Sequence, residues 1–118
     1  MSNNQRKPVE AGDVRQLAQG RWVEILKALA GAVLGNALDV KLGIHTKCPF
    51  HGGEKDFRFD GHKAKKGSSN ETGAAICSCG QWKDGFALLQ QANGWSFITA
   101  LVQVARYLGF RVDDDGFL

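Results

Sequence analysis

The apolar positions of this chain change period twice. From Asp13, "DVRQLAQGRWVEILKALAGAV" sets Val14, Leu17 and Ala18 on one face and, past Gly20, Trp22, Ile25, Leu26, Leu29 and Val33 on another. Recurrence at three and four residues predicts amphipathic helix, capped at Asp13 and either broken or divided near Gly20. Such a layer reads as core rather than as a cofactor or membrane face. Residues 35–45 read as a connection with at most a helical turn around 37–42. At "FRF", Phe57 to Phe59, the alternation of a strand appears, with both rings on one face and Arg58 on the other. A second strand is predicted over 74–77, and the intervening "DGHKAKKGSSNETG" reads as a flexible basic loop. The helical period then returns. Asp84 is the expected N-cap of a helix that ends at Asn93 and Gly94, and Ser96 that of a last helix. In that helix Phe97, Leu101, Val104, Ala105 and Leu108 share a face, and Gly109 stops it.

These elements predict an α+β fold, with a short antiparallel sheet between N-terminal and C-terminal helices. The expected organisation is a loose polar terminus over 1–12, a helical segment over 13–44, a sheet-containing domain with its helices over 45–110, and an acidic tail over 111–118. At 118 residues the chain makes one domain with a modest core, so an extra constraint is expected to hold the thin middle part.

The cysteines supply a candidate. There are three, which cannot close into a set of disulfides. No signal-peptide pattern follows Met1 and no apolar run nears the length of a membrane span, so the expected location is the reducing cytoplasm, where thiols bind metals more often than they pair. Cys48 and His51 stand in a turn-like "CPFHGG", and Cys77 and Cys79 form a second close pair after the second strand. Two pairs of soft or borderline donors suit one tetrahedral Zn²⁺, with Pro49, Gly52 and Gly53 shaping one knuckle and Gly80 the other. The "CSC" spacing is tighter than the usual pair, and His45 and His62 are the alternative nitrogen donors. Three thiolates and an imidazole make a closed site and a poor Lewis acid, so the ion is expected to be structural. Nucleophilic catalysis by Cys77 or Cys79 with His51 would use the same atoms, and ligation explains them better. Glu54, Asp56 and Asp60 alternate with Lys55 and Arg58 and read as a solvated strand edge.

Net charge is only +3, but between Lys41 and Lys83 eight cations face four acids. Aromatic faces flanked by cations suit single-stranded nucleic acid, because bases stack on rings while Lys and Arg follow phosphates. The candidate contacts are Lys55, Phe57, Arg58, Phe59, Lys63, Lys65, Lys66, Trp82 and Lys83. For the three aromatics, packing in the core is the competing role.

Taken in order, "CPFHGGEKDFRFD", "ICSCG", "DGFALL" and "SFITALVQVARYLG" resemble the N-terminal zinc-binding domain of phage- and plasmid-type DNA primases and primase-helicases. The upstream "QGRWVEIL" resembles the segment that precedes that domain, and the similarity runs from about Leu17 to Gly109. The resemblance implies a zinc ribbon whose metal positions fall on Cys48, His51, Cys77 and Cys79. It implies a sheet that helps select the DNA template at which primers start. The chain departs from the pattern in two places: its second ligand pair is one residue shorter and its following link longer, and Asp56 stands where a basic residue is usual. Family members continue into a polymerase domain that binds Mg²⁺, often followed by a helicase. The expectation is therefore a non-enzymatic module in DNA replication of a phage, plasmid or other mobile element, partnered with single-stranded DNA and with a separate or fused primase polymerase or helicase. The alternative is an adaptor that docks a replication enzyme, through the Trp82 region or the last helix, without touching DNA.

Overall fold

A computed structural model of the chain describes residues 7–39, 44–52, 56–59 and 69–118. Helix α1 (Ala11–Ala18) is followed by α2 (Trp22–Leu38), strand β1 (Arg58–Phe59), the single turn α3 (Ser69–Thr72), strands β2 (Ala75–Cys77) and β3 (Gly80–Trp82), and helices α4 (Gly85–Asn93) and α5 (Phe97–Tyr107). The fold is α+β. Its sheet is antiparallel in the order β1-β2-β3.

The helix boundaries follow local chemistry. The chain breaks at Gly20, whose φ of +82° is one that a residue with a Cβ rarely adopts, and this turns α1 into α2. Asp84 accepts a hydrogen bond from the Ala87 amide at 2.9 Å and Ser96 one from Thr99 at 3.2 Å, as N-caps do for orphan helix donors. Gly94 closes α4 in the left-handed conformation. Helix α1 instead starts at Ala11 with Glu10 at its cap and Asp13 in its first turn. Helix α2 leaves helical geometry at Ala30, where the preceding carbonyl, that of Leu29, accepts from the Asn93 side chain at 2.9 Å. A side chain of α4 thus partners a backbone group beside the irregularity in α2.

Two aromatic clusters make the core. Trp22, Phe86 and Phe97 join the helices, with the Trp22 and Phe86 rings 5.0 Å apart and edge-on. Phe50, Phe57, Phe59 and Trp82 join the sheet to the first knuckle, with centroids between 5.1 and 6.4 Å apart. Val14, Ala18, Ile25, Leu26, Leu34, Leu88 and Val104 fill the helical layer between them. Leu17 and Val33, expected on the apolar faces, are exposed, and Ala30 and Leu34 are buried in their place. The irregularity at Ala30 resets the helical phase ahead of Val33, so a face drawn on an ideal helix drifts there.

Residues 7–10, within the terminus expected to be loose, pair with the end of the chain. Pro8 and Phe117 form an antiparallel bridge, the Val9 amide donates to Gly116 O at 2.7 Å, and the Leu118 amide to Lys7 O at 2.8 Å. The Asp113 carboxylate organises the last turn by accepting from the amides of Asp115 and Phe117. A short acidic residue can replace a strand partner in this way, so the acid run becomes a turn rather than a tail.

Gly85 lies directly against the Trp22 ring. A Cβ at Gly85 would lie 2.1 Å from the indole ring, whereas one at Gly31 would meet nothing within 4 Å. Gly85→Ala should therefore destabilise the fold by about 3 kcal/mol, and Gly31→Ala should stabilise it by about 0.5 to 1 kcal/mol. Chemical denaturation midpoints of the two variants check both signs.

Candidate metal centre

Residues 48–52 fold as a knuckle because proline and glycine allow the chain to reverse twice. The Gly52 amide donates to Cys48 O at 3.0 Å, with Gly52 at φ +77°, and the Phe50 amide points at Cys48 Sγ at 3.4 Å. Thr46 pairs with Phe57 in an isolated bridge, which sets this knuckle beside β1. The second knuckle is the β2-β3 hairpin. Cys77 pairs with Gly80 across a loop of Ser78 and Cys79, so Cys79 sits in the turn itself. Gly80, expected to shape that turn, lies instead in β3, because the one-residue "CSC" gap is filled by a two-residue hairpin loop.

The two knuckles face each other. One donor atom from each of Cys48, His51, Cys77 and Cys79 lies within 4.8 Å of the others. Cys48 Sγ and Cys79 Sγ are 3.7 Å apart, and Cys77 Sγ and His51 Nδ1 3.6 Å. A tetrahedral ion with metal–sulfur bonds of about 2.3 Å and metal–nitrogen bonds of about 2.0 Å has edges of about 3.7 and about 3.5 Å. Two of the six donor separations match these edges, and the cluster as a whole is compatible with one four-coordinate ion. Cys48 and Cys77 are buried, and His51 and Cys79 are at the surface. Four protein donors would complete the shell of a tetrahedral ion.

Protonation agrees with this use. Burial pushes the Cys77 thiol up, but hydrogen bonds from the Cys79 amide and from the neighbouring thiols and Ser78 bring it below its ordinary value. Desolvation, then the thiols of Cys77 and Cys48, push Cys79 up to about 12. The protein alone stabilises one negative charge in the cluster and resists the next. A divalent cation reverses that balance, since thiolates are its ligands.

Asp56 was read as part of a solvated edge, and it belongs to the site. Its Oδ2 lies 3.5 Å from His51 Nε2 and accepts from Ser78 Oγ at 3.2 Å. With Nδ1 turned to the cluster and Nε2 to a carboxylate, the imidazole is held in the orientation that metal-binding histidines take from such partners. The sequence signal was available in hindsight: an acid near a candidate histidine ligand. It was hidden by the alternation of charges around it.

His45 is exposed and is not one of the four clustered donors. His62, Lys55, Lys63, Lys65 and Lys66 lie outside the described residues. Phe57, Phe59 and Trp82 are at most 6% exposed, which corrects their reading as a stacking surface: their rings pack on one another and on Phe50. The Trp82 indole N–H is satisfied by Gln91 Oε1 at 3.3 Å, as a buried ring requires. The outward face of the sheet is instead the row Arg58, Ile76 and Gln81, which the register places side by side. Lys83 is exposed just beyond β3.

Among the described residues no helix is long and apolar enough to cross a membrane. Comparison with protein-family models, with curated proteins and with solved structures finds no match to this chain.

Two outcomes follow from the geometry. Asp56→Asn should weaken metal binding about 10- to 100-fold while leaving about one ion per chain at saturation, measured by competition with a chromophoric chelator. Because bound metal must displace thiol protons, affinity should fall as pH falls, by about tenfold or more per unit over pH 7.5 to 6. The same competition run across that range reads the slope, and a flat profile contradicts thiolate ligation.

Proposed function

We propose that this chain is a zinc-stabilised module that binds single-stranded DNA in primer synthesis, as an accessory to or part of a primase or primase-helicase of a phage, plasmid or other mobile element. The observation that carries the reading is the meeting of Cys48, His51, Cys77 and Cys79 from two knuckles on an antiparallel sheet. They are the four residues on which the resemblance to the primase zinc ribbon places its metal.

Zinc is favoured by the donors. Three sulfurs and one imidazole nitrogen in one cluster select a borderline-soft ion without geometric preference of its own. Filled coordination supports a structural ion that clamps the sheet, so the role is binding rather than catalysis. Cytoplasmic location is part of the same reading.

The DNA contact proposed here rests on cations and not on stacked rings. Arg58 stands on the outward sheet row, and Lys83 follows β3. Lys55, Lys63, Lys65 and Lys66 would add to the same electrostatic footprint along the chain. Phosphate contacts of this kind position a strand without reading its bases. Burial of the Trp82 ring speaks against one of the two surfaces of the docking alternative, the other being the last helix.

Fluorescence anisotropy with short single-stranded oligonucleotides tests the reading on zinc-loaded protein. Binding should weaken steeply between low and physiological salt, and Arg58→Ala should lower the slope of log affinity against log salt by about 0.7. Trp82 emission should not shift on binding. Absence of binding at low salt rejects the proposal.

A further inference from the structure

A cleft of about 520 Å³ opens away from the metal cluster, between α1, α3 and the link from β3 to α4. Its size is that of a small-molecule site. Trp22 and Phe86 form its floor but are too deeply buried to offer a ring face. The plane that is offered belongs to Arg15. Its guanidinium lies 5.3 Å from the Phe86 centroid, and its edge is held by Asp84 Oδ2 at 3.5 Å. The Arg15 side chain is 49% exposed where it lines the cleft.

This is a preorganised platform. A guanidinium stacked on one ring and pinned at its edge presents a flat, weakly hydrated face on which a second planar ring can lie. Asp84 is committed twice, to Arg15 and to the Ala87 amide that it caps, so its charge does not repel an anion as a free carboxylate would. Around the platform, Gln16 and Gln19 extend the same face of α1 and can pair with the polar edge of a planar heterocycle. Gly12 completes that face at positions i, i+3, i+4 and i+7, and a Cβ there would meet nothing within 4 Å, so the cleft is open above the helix. Lys83, exposed, also lines the cleft and can partner a phosphate, and Glu71 and Thr72 in the same lining offer oxygen acceptors to sugar hydroxyls.

A stacking plane, amide groups, a cation and hydroxyl acceptors around one cleft match the parts of a single nucleotide. We infer that the cleft binds a nucleoside monophosphate unit, stacked on Arg15, with its phosphate at Lys83. The unit comes either free or as one residue of a single strand. Lys83 is shared with the strand contact proposed above, whereas Arg15, Gln16 and Gln19 belong to the cleft and not to the sheet row, so Arg15→Lys is the variant that separates the two proposals.

The test is titration of the full zinc-loaded chain with each common nucleoside monophosphate, with the nucleosides and with inorganic phosphate, followed by amide NMR shifts. Expected are millimolar or tighter binding of at least one monophosphate, weaker binding of its nucleoside, and shifts centred on residues 12–19 and Lys83. Arg15→Lys keeps the charge and loses the plane, and should weaken the monophosphate about tenfold. Lys83→Ala should erase the preference of nucleotide over nucleoside. Both variants should keep wild-type metal content and thermal unfolding, because each side chain is at the surface. No nucleotide binding, equal binding by both variants, or competition by phosphate alone overturns the inference. Oligonucleotide titrations separate the two sources and the two proposals. Oligonucleotide affinity that falls in Arg15→Lys along with monophosphate affinity places a strand residue in the cleft, and unchanged oligonucleotide affinity with weakened monophosphate binding makes the ligand a free nucleotide. Mononucleotide binding with no oligonucleotide binding would reject the DNA reading and leave the cleft standing.

Discussion

The sheet end of the structure depends on four donor atoms being brought within 4.8 Å of one another by two turns that are far apart in sequence. The sheet that carries them is very small: β1 has two residues, and β2 and β3 three each. Ladders this short do not hold themselves in water. What fixes them is the aromatic cluster beneath and the donor cluster at one end. These two constraints share the knuckle, since Phe50 lies between Cys48 and His51 and packs on both Phe57 and Trp82. An ion bound by those donors would therefore order the apolar layer as well as the loops. Removing it would leave buried thiols adjacent to an aromatic cluster whose strands have few other bonds.

Much of this was readable along the chain, for reasons that are local. Asp84, Gly94 and Ser96 act within one helical turn of themselves, so their roles survive whatever the tertiary fold does. The alternation in Phe57, Arg58 and Phe59 correctly put both rings on one face, because strand period is a property of the backbone. The four clustered residues were legible because knuckle ligands come as close pairs. What was not legible depends on distant partners. Whether Phe57 and Trp82 faced solvent or core was decided by Phe50 and Gln91, which no periodicity connects to them. The role of Asp56 needed the position of His51 Nε2. The ordering of residues 7–10 needed 116–118, at the other end of the chain.

Inward rings change how a surface of this kind can hold a polyanion. A strand contacted by exposed aromatics gains stacking energy that salt does not screen, whereas one contacted by Arg58 and Lys83 gains chiefly from counterion release. The first grips bases and the second follows a backbone. With its aromatics committed to the core, the sheet row would offer the proposed strand only the second kind of contact.

The segment from Cys79 to Phe86 ties the two halves of the molecule together, and it does so with almost no slack. Cys79 is a donor of the cluster, Trp82 fills the sheet core, Asp84 caps α4, Gly85 lies against Trp22, and Phe86 carries the Arg15 platform. Each of these residues is fixed by a partner from a different part of the chain, so a shift of the hairpin is transmitted to the cleft through a few covalent bonds. Lys83 stands in the middle, between a ring locked beneath the sheet and the cap of a helix. Its backbone is consequently held in place even though its side chain is in solvent. The link therefore fixes the base of the Lys83 stem and leaves the ammonium to swing about it, so one cation can turn toward a phosphate at the sheet edge or at the cleft without any backbone change.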